Sequence, residues 1–315
     1  MKFWPLIRLV PRATHFNFVG LAPFAAILSA LLIVGSGISI AVQGMNFGVD
    51  FAGGSVMDVS TPGPAPLAQV RATLDQIGAH DPGVQGFGGP NTFQVRFRSV
   101  NGKDANAGAA FVQQQLQQKF PGLKVTSQST VGPKLSSELL VKGLEALGLA
   151  LLLMLGYIWF RFQLQFGLGA ILALFHDIVL TIGLLSVARI EVSMTSIAAL
   201  LTVIGYSMNE KVISFDRLRE NLRKYKTTPL REVINLSENE RLSRTLITGT
   251  TALLALSGAL VDPGNPLFSL VFTMAFGIII GTYSSIYVAL PVILLWGAKR
   301  DDGDATPIAP VRTRP

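Results

Sequence analysis

The stretch Gly205-Tyr-Ser-Met-Asn-Glu-Lys-Val-Ile-Ser-Phe-Asp-Arg-Leu-Arg-Glu-Asn221 places two adjacent charges, Glu210 and Lys211, inside an otherwise apolar helix that begins near Ser193. If this helix crosses a bilayer as far as about Phe215, the last five residues, at about 1.5 Å each, set Glu210 roughly 7–8 Å inside the hydrocarbon edge. An ionised group at that depth is costly. It is expected to face other helices or a water-filled cavity, and such groups mark ion pathways more often than ordinary packing. Tyr206, Ser207 and Ser214 share the Glu210 face at spacings of three and four, so one side of the helix is polar. The competing reading has the two long side chains snorkel to the inner interface. Asn209 is too short to snorkel, and Val212-Ile213 continue the apolar run beyond the charges.

Composition places this helix in a polytopic membrane protein. Of 315 residues, 50% are hydrophobic and only 14% charged, and the mean hydropathy is +0.47. The net charge of +7 would suit nucleic-acid binding, but the Lys and Arg residues cluster at the ends of apolar runs, so no nucleic-acid partner is expected. With no cysteine, disulfides and thiolate chemistry are excluded; His15, His80 and His176 lack metal-ligand spacing, so neither metal nor cofactor is expected. A phosphate loop, a nucleophile elbow and a metal box are all missing, which argues against an enzyme. The first apolar run is expected to stay as an anchor rather than be cleaved.

Six runs near the ~20 residues that a bilayer requires are expected to span it: 18–42, 139–160, 164–187, 193–215, 242–260 and 267–296. Residues 1–17 form a cytoplasmic N-terminus, 43–138 an external domain, 139–298 a five-helix membrane region with a cytoplasmic loop at 216–243, and 299–315 a disordered cytoplasmic tail. Lys2, Arg8, Arg12, Arg161, eight basic residues from Arg217 to Arg244, and Lys299, Arg300, Arg312 and Arg314 then lie inside. The short external loops keep only Arg189, so both termini are cytoplasmic. The external region alternates strand and helix as βαββαβ, over 55–60, 66–79, 84–87, 92–98, 105–120 and 124–130. That order packs two helices on an antiparallel sheet, the ferredoxin-like arrangement.

Other polar groups enter the expected membrane region. Asp177, beside His176 and four residues before Thr181, falls near the midplane, where an ionised Asp costs at least ~2.5–3.5 kcal/mol. It either ties helices together or carries a proton. Arg244, Thr248 and Thr251 form one stripe, with Arg244 at a depth similar to Glu210; the two pair if their helices are neighbours, and otherwise Arg244 snorkels to phosphate. The 216–243 segment mixes both charge signs and reads as a solvated helical loop, also suited to anionic lipid or a cytoplasmic partner.

Gly48-Val-Asp-Phe-Ala-Gly-Gly54, with Asp50, Phe51, Gly53 and Gly54 at its centre, resembles the glycine-rich motif that follows the first span of the SecD/SecF export proteins. Phe175-His-Asp-Ile-Val-Leu-Thr181, Gly205-Tyr-Ser-Met-Asn209 with Phe215-Asp-Arg-Leu-Arg-Glu-Asn221, and Leu242-Ser-Arg-Thr245 resemble later motifs of the SecF-like members. Four motifs in order, across about residues 18–298, are specific together. The resemblance implies an inner-membrane accessory subunit of the Sec translocase, related to the resistance-nodulation-division transporters. It implies pairing with a SecD-like subunit, contact with the Sec channel, the translocating polypeptide and membrane lipids, and use of the proton motive force to promote export.

By resemblance, Asp177, Glu210 and Arg244, with Asn209 and Lys211 beside them, form the proton-coupling network. The chain departs from the family, which usually reads Asn-Asp-Thr where Asn209-Glu210-Lys211 stand; Lys211 lies about 100° around the helix from Glu210 and is free to pair with another carboxylate. Restoring the family residue, Lys211→Thr, is expected to preserve proton stimulation. Gly44 and the Gly53-Gly54 pair are expected either to hinge the external domain or to permit close approach to its first strand. Two other readings stay open: a small-molecule or lipid exporter of the same superfamily, and a non-conducting assembly scaffold of the translocon.

Overall fold

A computed structural model describes residues 14–86, 89–162, 164–261 and 267–296. Phe87, the N-terminal basic residues Lys2, Arg8 and Arg12, and the 299–315 tail lie outside the described residues.

The chain enters α1 (Phe18–Gln43), where the Asn17 carboxamide accepts the Gly20 N–H at 2.9 Å and satisfies one of the open amides of the first turn. A short α2 (Val49–Ala52) leads into an α+β unit composed of β1 (Gly54–Ser60), α3 (Leu67–Gln76), β2 (Gly83–Gly86), β3 (Thr92–Phe97), α4 (Ala105–Lys119) and β4 (Lys124–Val131). Five long helical segments follow: α5 (Pro133–Arg161), α6 (Leu164–Val187), α7 (Met194–Lys224), α8 (Leu230–Leu260), and α9 (Phe268–Ser284), which continues through a π turn (Ser285–Ala289) into α10 (Leu290–Trp296).

The sheet runs β2-β3-β1-β4 with every neighbouring pair antiparallel. Its strands alternate as a half-buried sheet should. Met57 and Val59 of β1 and Phe93, Val95 and Phe97 of β3 are buried together with Val70 and Leu74 of α3 and Val112 and Leu116 of α4. Each such side chain contributes about 1.5–3 kcal/mol. One bulge at Asp58/Val59 interrupts the β1–β4 register. Gly54 has φ +130°, and any side chain there would collide with the Phe97 carbonyl, so its glycine follows from close strand approach.

Four helices, Phe18–Gln43, Pro133–Arg161, Leu164–Val187 and Phe268–Leu295, are long and apolar enough to cross a membrane. The 31-residue α7 and α8 are longer but each has a charged half. The 216–243 segment, expected as a solvated helical loop, consists of the adjoining ends of α7 and α8 with a turn at 225–229 between them and Pro229 as the α8 N-cap. α6 lies at the centre, packed by α1, α5, α7 and α9. α7 and α9 approach closely because Gly277 and Gly281, four apart on one face, lie against Val203 and Ser207; a side chain at Gly277 would overlap Val203. Small residues at this spacing allow helix backbones to meet. Phe162, Phe166 and Phe215 close one end of the bundle with ring centroids 5.3–6.2 Å apart.

Candidate functional site

Among the described residues six ionisable side chains are buried, all in the helical region: His176, Asp177, Glu210, Lys211, Glu238 and Arg241. Helical geometry sorts them into two groups. Adjacent residues point about 100° apart, so Glu210 of α7 turns toward α8 while Lys211 turns toward α6 and α9.

The first group is centred on Asp177. Its Oδ2 accepts hydrogen bonds from Lys211 Nζ at 2.8 Å, from Ser284 Oγ at 2.7 Å and from Ser207 Oγ. Lys211 also donates to Ser207 Oγ and, at 3.1 Å, to Ser284 Oγ, which uses all three ammonium hydrogens. Asp177 Oδ1 lies 2.9 Å from His176 Nδ1. The other ring nitrogen of His176, Nε2, is 3.1 Å from Ser29 Oγ on α1. Ser29 Oγ in turn is 2.9 Å from Tyr283 Oη, and Tyr283 Oη donates to the Ala25 carbonyl at 2.8 Å while its ring stacks on the imidazole. Three helices, α6, α7 and α9, thus meet at one carboxylate, and His176 ties it to α1.

The second group is centred on Arg241. Its Nε donates to both Glu238 oxygens at 2.8 Å, one terminal nitrogen reaches Ser285 Oγ at 2.8 Å, and the other reaches Thr245 Oγ1 at 2.8 Å and Glu210 Oε2 at 3.2 Å. Thr245 also donates to Glu210 Oε2, at 3.1 Å. A buried cation held this way needs several acceptors to offset its desolvation. The groups touch through sequence neighbours, Glu210 beside Lys211 on α7 and Ser284 beside Ser285 where α9 enters its π turn, a local irregularity frequent at functional sites.

Sequence reasoning had Asp177, Glu210 and Arg244 converge, and the contact geometry differs from that. Asp177 takes Lys211, Glu210 takes Arg241, and Arg244 is exposed, as is Asn209. The cause is helix phase: α8 begins at Leu230, and residues 238, 241 and 245, spaced by three and four, form its buried face. Arg244 lies off that face and lines a cleft of about 510 Å³ with Asp216, Arg217, Glu220, Glu240 and the edge of Arg241. Thr248 and Thr251 continue its exposed stripe. The residues that sequence reasoning missed are His176, Glu238 and Arg241.

The glycine-rich motif sits at the other end of α7. Asp50 Oδ2 accepts the Met194 N–H at 2.9 Å, placing a carboxylate at the positive end of the helix. Gly48 N–H donates to the Val192 carbonyl at 2.9 Å, and Phe51 packs edge-on against Phe47 with centroids 6.3 Å apart. Gly53 has φ +72° and lies beside Val131 and Ser136. Arg96 of β3 forms an ion pair with Glu191, in the loop before α7. Burial raises the Glu191 carboxyl above its ordinary range; Arg96 opposes the rise and Asp50 adds to it.

Residues 111–299 match the family described as protein export membrane protein SecD/SecF, C-terminal, and residues 38–61 match the SecD/SecF GG motif. The protein translocase subunit SecF of Rhodobacter capsulatus is 39% identical over 311 residues, covering 94% of this chain and 93% of the relative. That of Rickettsia felis is 36% identical over 301 residues, covering 95% and 97%. The crystal structure of SecDF, a translocon-associated membrane protein from Thermus thermophilus, superposes with a TM-score of 0.80 at 30% identity, over 92% of this chain and 40% of that one. SecDF in its super-membrane-facing form gives a TM-score of 0.65 at the same identity.

Proposed function

The chain belongs to the SecD/SecF family of protein export membrane proteins, as a SecF-type subunit, and on that premise we propose how its buried charges serve export. It is an accessory membrane subunit of the Sec translocase. It acts with a SecD-like partner, for which the likeness to SecDF, a chain of which this one spans only 40%, is the support. Polypeptide movement is assisted by proton flow through the bilayer, and α7 is the transmission element.

One observation carries this reading: α7 has Asp50 of the external motif on its first turn and Glu210 and Lys211, each engaged in a different ionic group, on its membrane half. From Met194 to Glu210 is about 24 Å of stiff helix at 1.5 Å per residue. A change of protonation in either group alters which neighbours hold α7. Any resulting shift of the helix acts on Asp50 and on the Gly53-Gly54 connection to the α+β unit. The cleft beside Arg241 and Arg244 supplies an aqueous approach from the cytoplasmic side.

The finer architecture belongs to the same reading. Six helices span the membrane, with α7 and α8 tolerated because their charges are turned inward and paired; both termini are cytoplasmic. The α+β unit is external and ferredoxin-like, supported by its β2-β3-β1-β4 order with two helices on one face. The exposed Arg244-Thr248-Thr251 stripe is where the SecD-like partner packs, since polar groups facing lipid would be costly. No covalent chemistry is involved. Purification from native membranes tests the class: a SecD-like protein and channel subunits should travel with the chain, whereas a bound small molecule without either would favour the exporter reading.

A further inference from the structure

The six buried ionisable groups do not balance. Asp177, Glu210 and Glu238 bring three negative charges, whereas Lys211 and Arg241 bring two positive ones. One uncompensated charge in a low-dielectric interior is expensive, and such sites neutralise by binding a proton. Only a proton on one of the acids or on His176 restores neutrality.

Hydrogen-bond bookkeeping says where it sits. Tyr283 has a single hydroxyl hydrogen, and it goes to the Ala25 carbonyl. Ser29 must therefore donate to Tyr283 Oη, and its oxygen is left to accept from His176 Nε2–H. With Nε2 fixed as a donor, a neutral ring would turn the bare lone pair of Nδ1 toward Asp177 Oδ1, 2.9 Å away. A hydrogen has to lie between them. Glu238 instead accepts the single Arg241 Nε–H on both oxygens and Glu210 accepts from Arg241 and Thr245, so neither faces a lone pair that requires a further hydrogen between them.

We propose that the exchangeable proton resides in the His176–Asp177 contact, fixed from α1 and α9 by Ser29 and Tyr283, while Glu210 keeps its contact with Arg241. The assignment rests on the proton-coupled reading above and names the site within it. In the release step the proton between Nδ1 and Oδ1 leaves to water and the electron pair remains on the nitrogen; nothing is oxidised or reduced. Two lone pairs then face each other and the contact opens. Asp177 remains held by Lys211, Ser207 and Ser284, so the imidazole and its tether to α1 are what move. The titratable groups facing this pair are Lys211 from α7 and Tyr283 from α9, with Glu210 next to Lys211; α1 contributes none.

The full chain, co-purified with its SecD-like partner and held in lipid nanodiscs, is labelled with nitrogen-15 histidine for solid-state NMR. Signals absent from His176→Gln identify the ring; a His15→Gln/His80→Gln variant, which removes two exposed histidines, identifies it again if His176→Gln fails to assemble. The expected spectrum keeps Nε2 protonated throughout and shows a hydrogen on Nδ1 that exchanges with water. An unprotonated Nε2, or an Nδ1 without an exchanging hydrogen, would overturn the assignment. In vesicles with an imposed pH gradient, His176→Gln should reduce the proton-stimulated part of export at least about tenfold. Full stimulation in an assembled His176→Gln complex would overturn the assignment while leaving the family role standing. A wild-type complex that no gradient stimulates would instead overturn the proton-coupled reading, and the NMR spectrum would still decide the location of the proton.

Discussion

Lys211 Nζ lies 2.8 Å from Asp177 Oδ2, and both side chains are wholly shielded within the helix bundle. Buried pairs of this kind contribute little net stability, but breaking one leaves a bare charge at a cost of about 3–5 kcal/mol. Lys211→Met should therefore lower the melting temperature of the purified protein sharply, and Lys211→Met with Asp177→Asn should recover most of the loss. Lys211→Thr, which restores the family residue and is expected from sequence to preserve proton stimulation, should be destabilised, because the threonine cannot reach Asp177 as an ammonium does. Additive losses in the double variant would refute the pairing.

Arg241 and Arg244 stand three residues apart and should behave oppositely. Arg241→Met removes the shared partner of Glu210 and Glu238 and should cost about 3–5 kcal/mol in thermal unfolding. Arg244→Met alters an exposed cleft residue and should change stability by less than about 1 kcal/mol. Equal effects of the two substitutions on melting temperature would contradict the observed helix phase.

Gly277→Ala should destabilise by about 1–3 kcal/mol through overpacking, since the new methyl group meets Val203. Gly205→Ala, on the same helix as Val203 but with open space around it, provides the control. Thermal unfolding of the two variants side by side measures the difference.

The Arg96–Glu191 pair links the four-stranded sheet to the loop before α7, and its pH response has a definite sign. Because burial raises the folded-state pKa of Glu191, this group's contribution to stability is full below the ordinary carboxylate pKa and is lost as pH rises through the raised value. Glu191→Gln should flatten the pH dependence of stability across that acid window. An unchanged melting profile from pH 4 to 7 would show that Glu191 contributes nothing there.

Much of this architecture is legible in the sequence, for identifiable reasons. Period-two alternation in Thr92–Phe97 and long apolar runs such as Leu164–Val187 report elements whose burial is local and repetitive. Asp177, Glu210 and Lys211 were legible because charges stand out in apolar surroundings. Arg241 and Glu238 were not, since they lie in a segment where charges alternate and solvation is the ordinary reading; their burial depends on α8 starting at Leu230 and leaning on α7. The spacing of 238, 241 and 245 was the available signal. His176 was passed over because a lone histidine is read against metal spacing, whereas its significance here lies in Ser29 and Tyr283, on helices far away in sequence.

Export driven by an imposed pH gradient is the most direct measure of proton coupling. The chain, its SecD-like partner and the channel are reconstituted in vesicles, and polypeptide translocation is followed with and without the gradient for wild type and for Glu210→Gln. Removing the Glu210 charge leaves Asp177 and Glu238 balanced by Lys211 and Arg241, so the site no longer needs its proton. The account predicts that gradient stimulation disappears in Glu210→Gln while the complex stays assembled; stimulation equal to wild type in that assembled complex would contradict it.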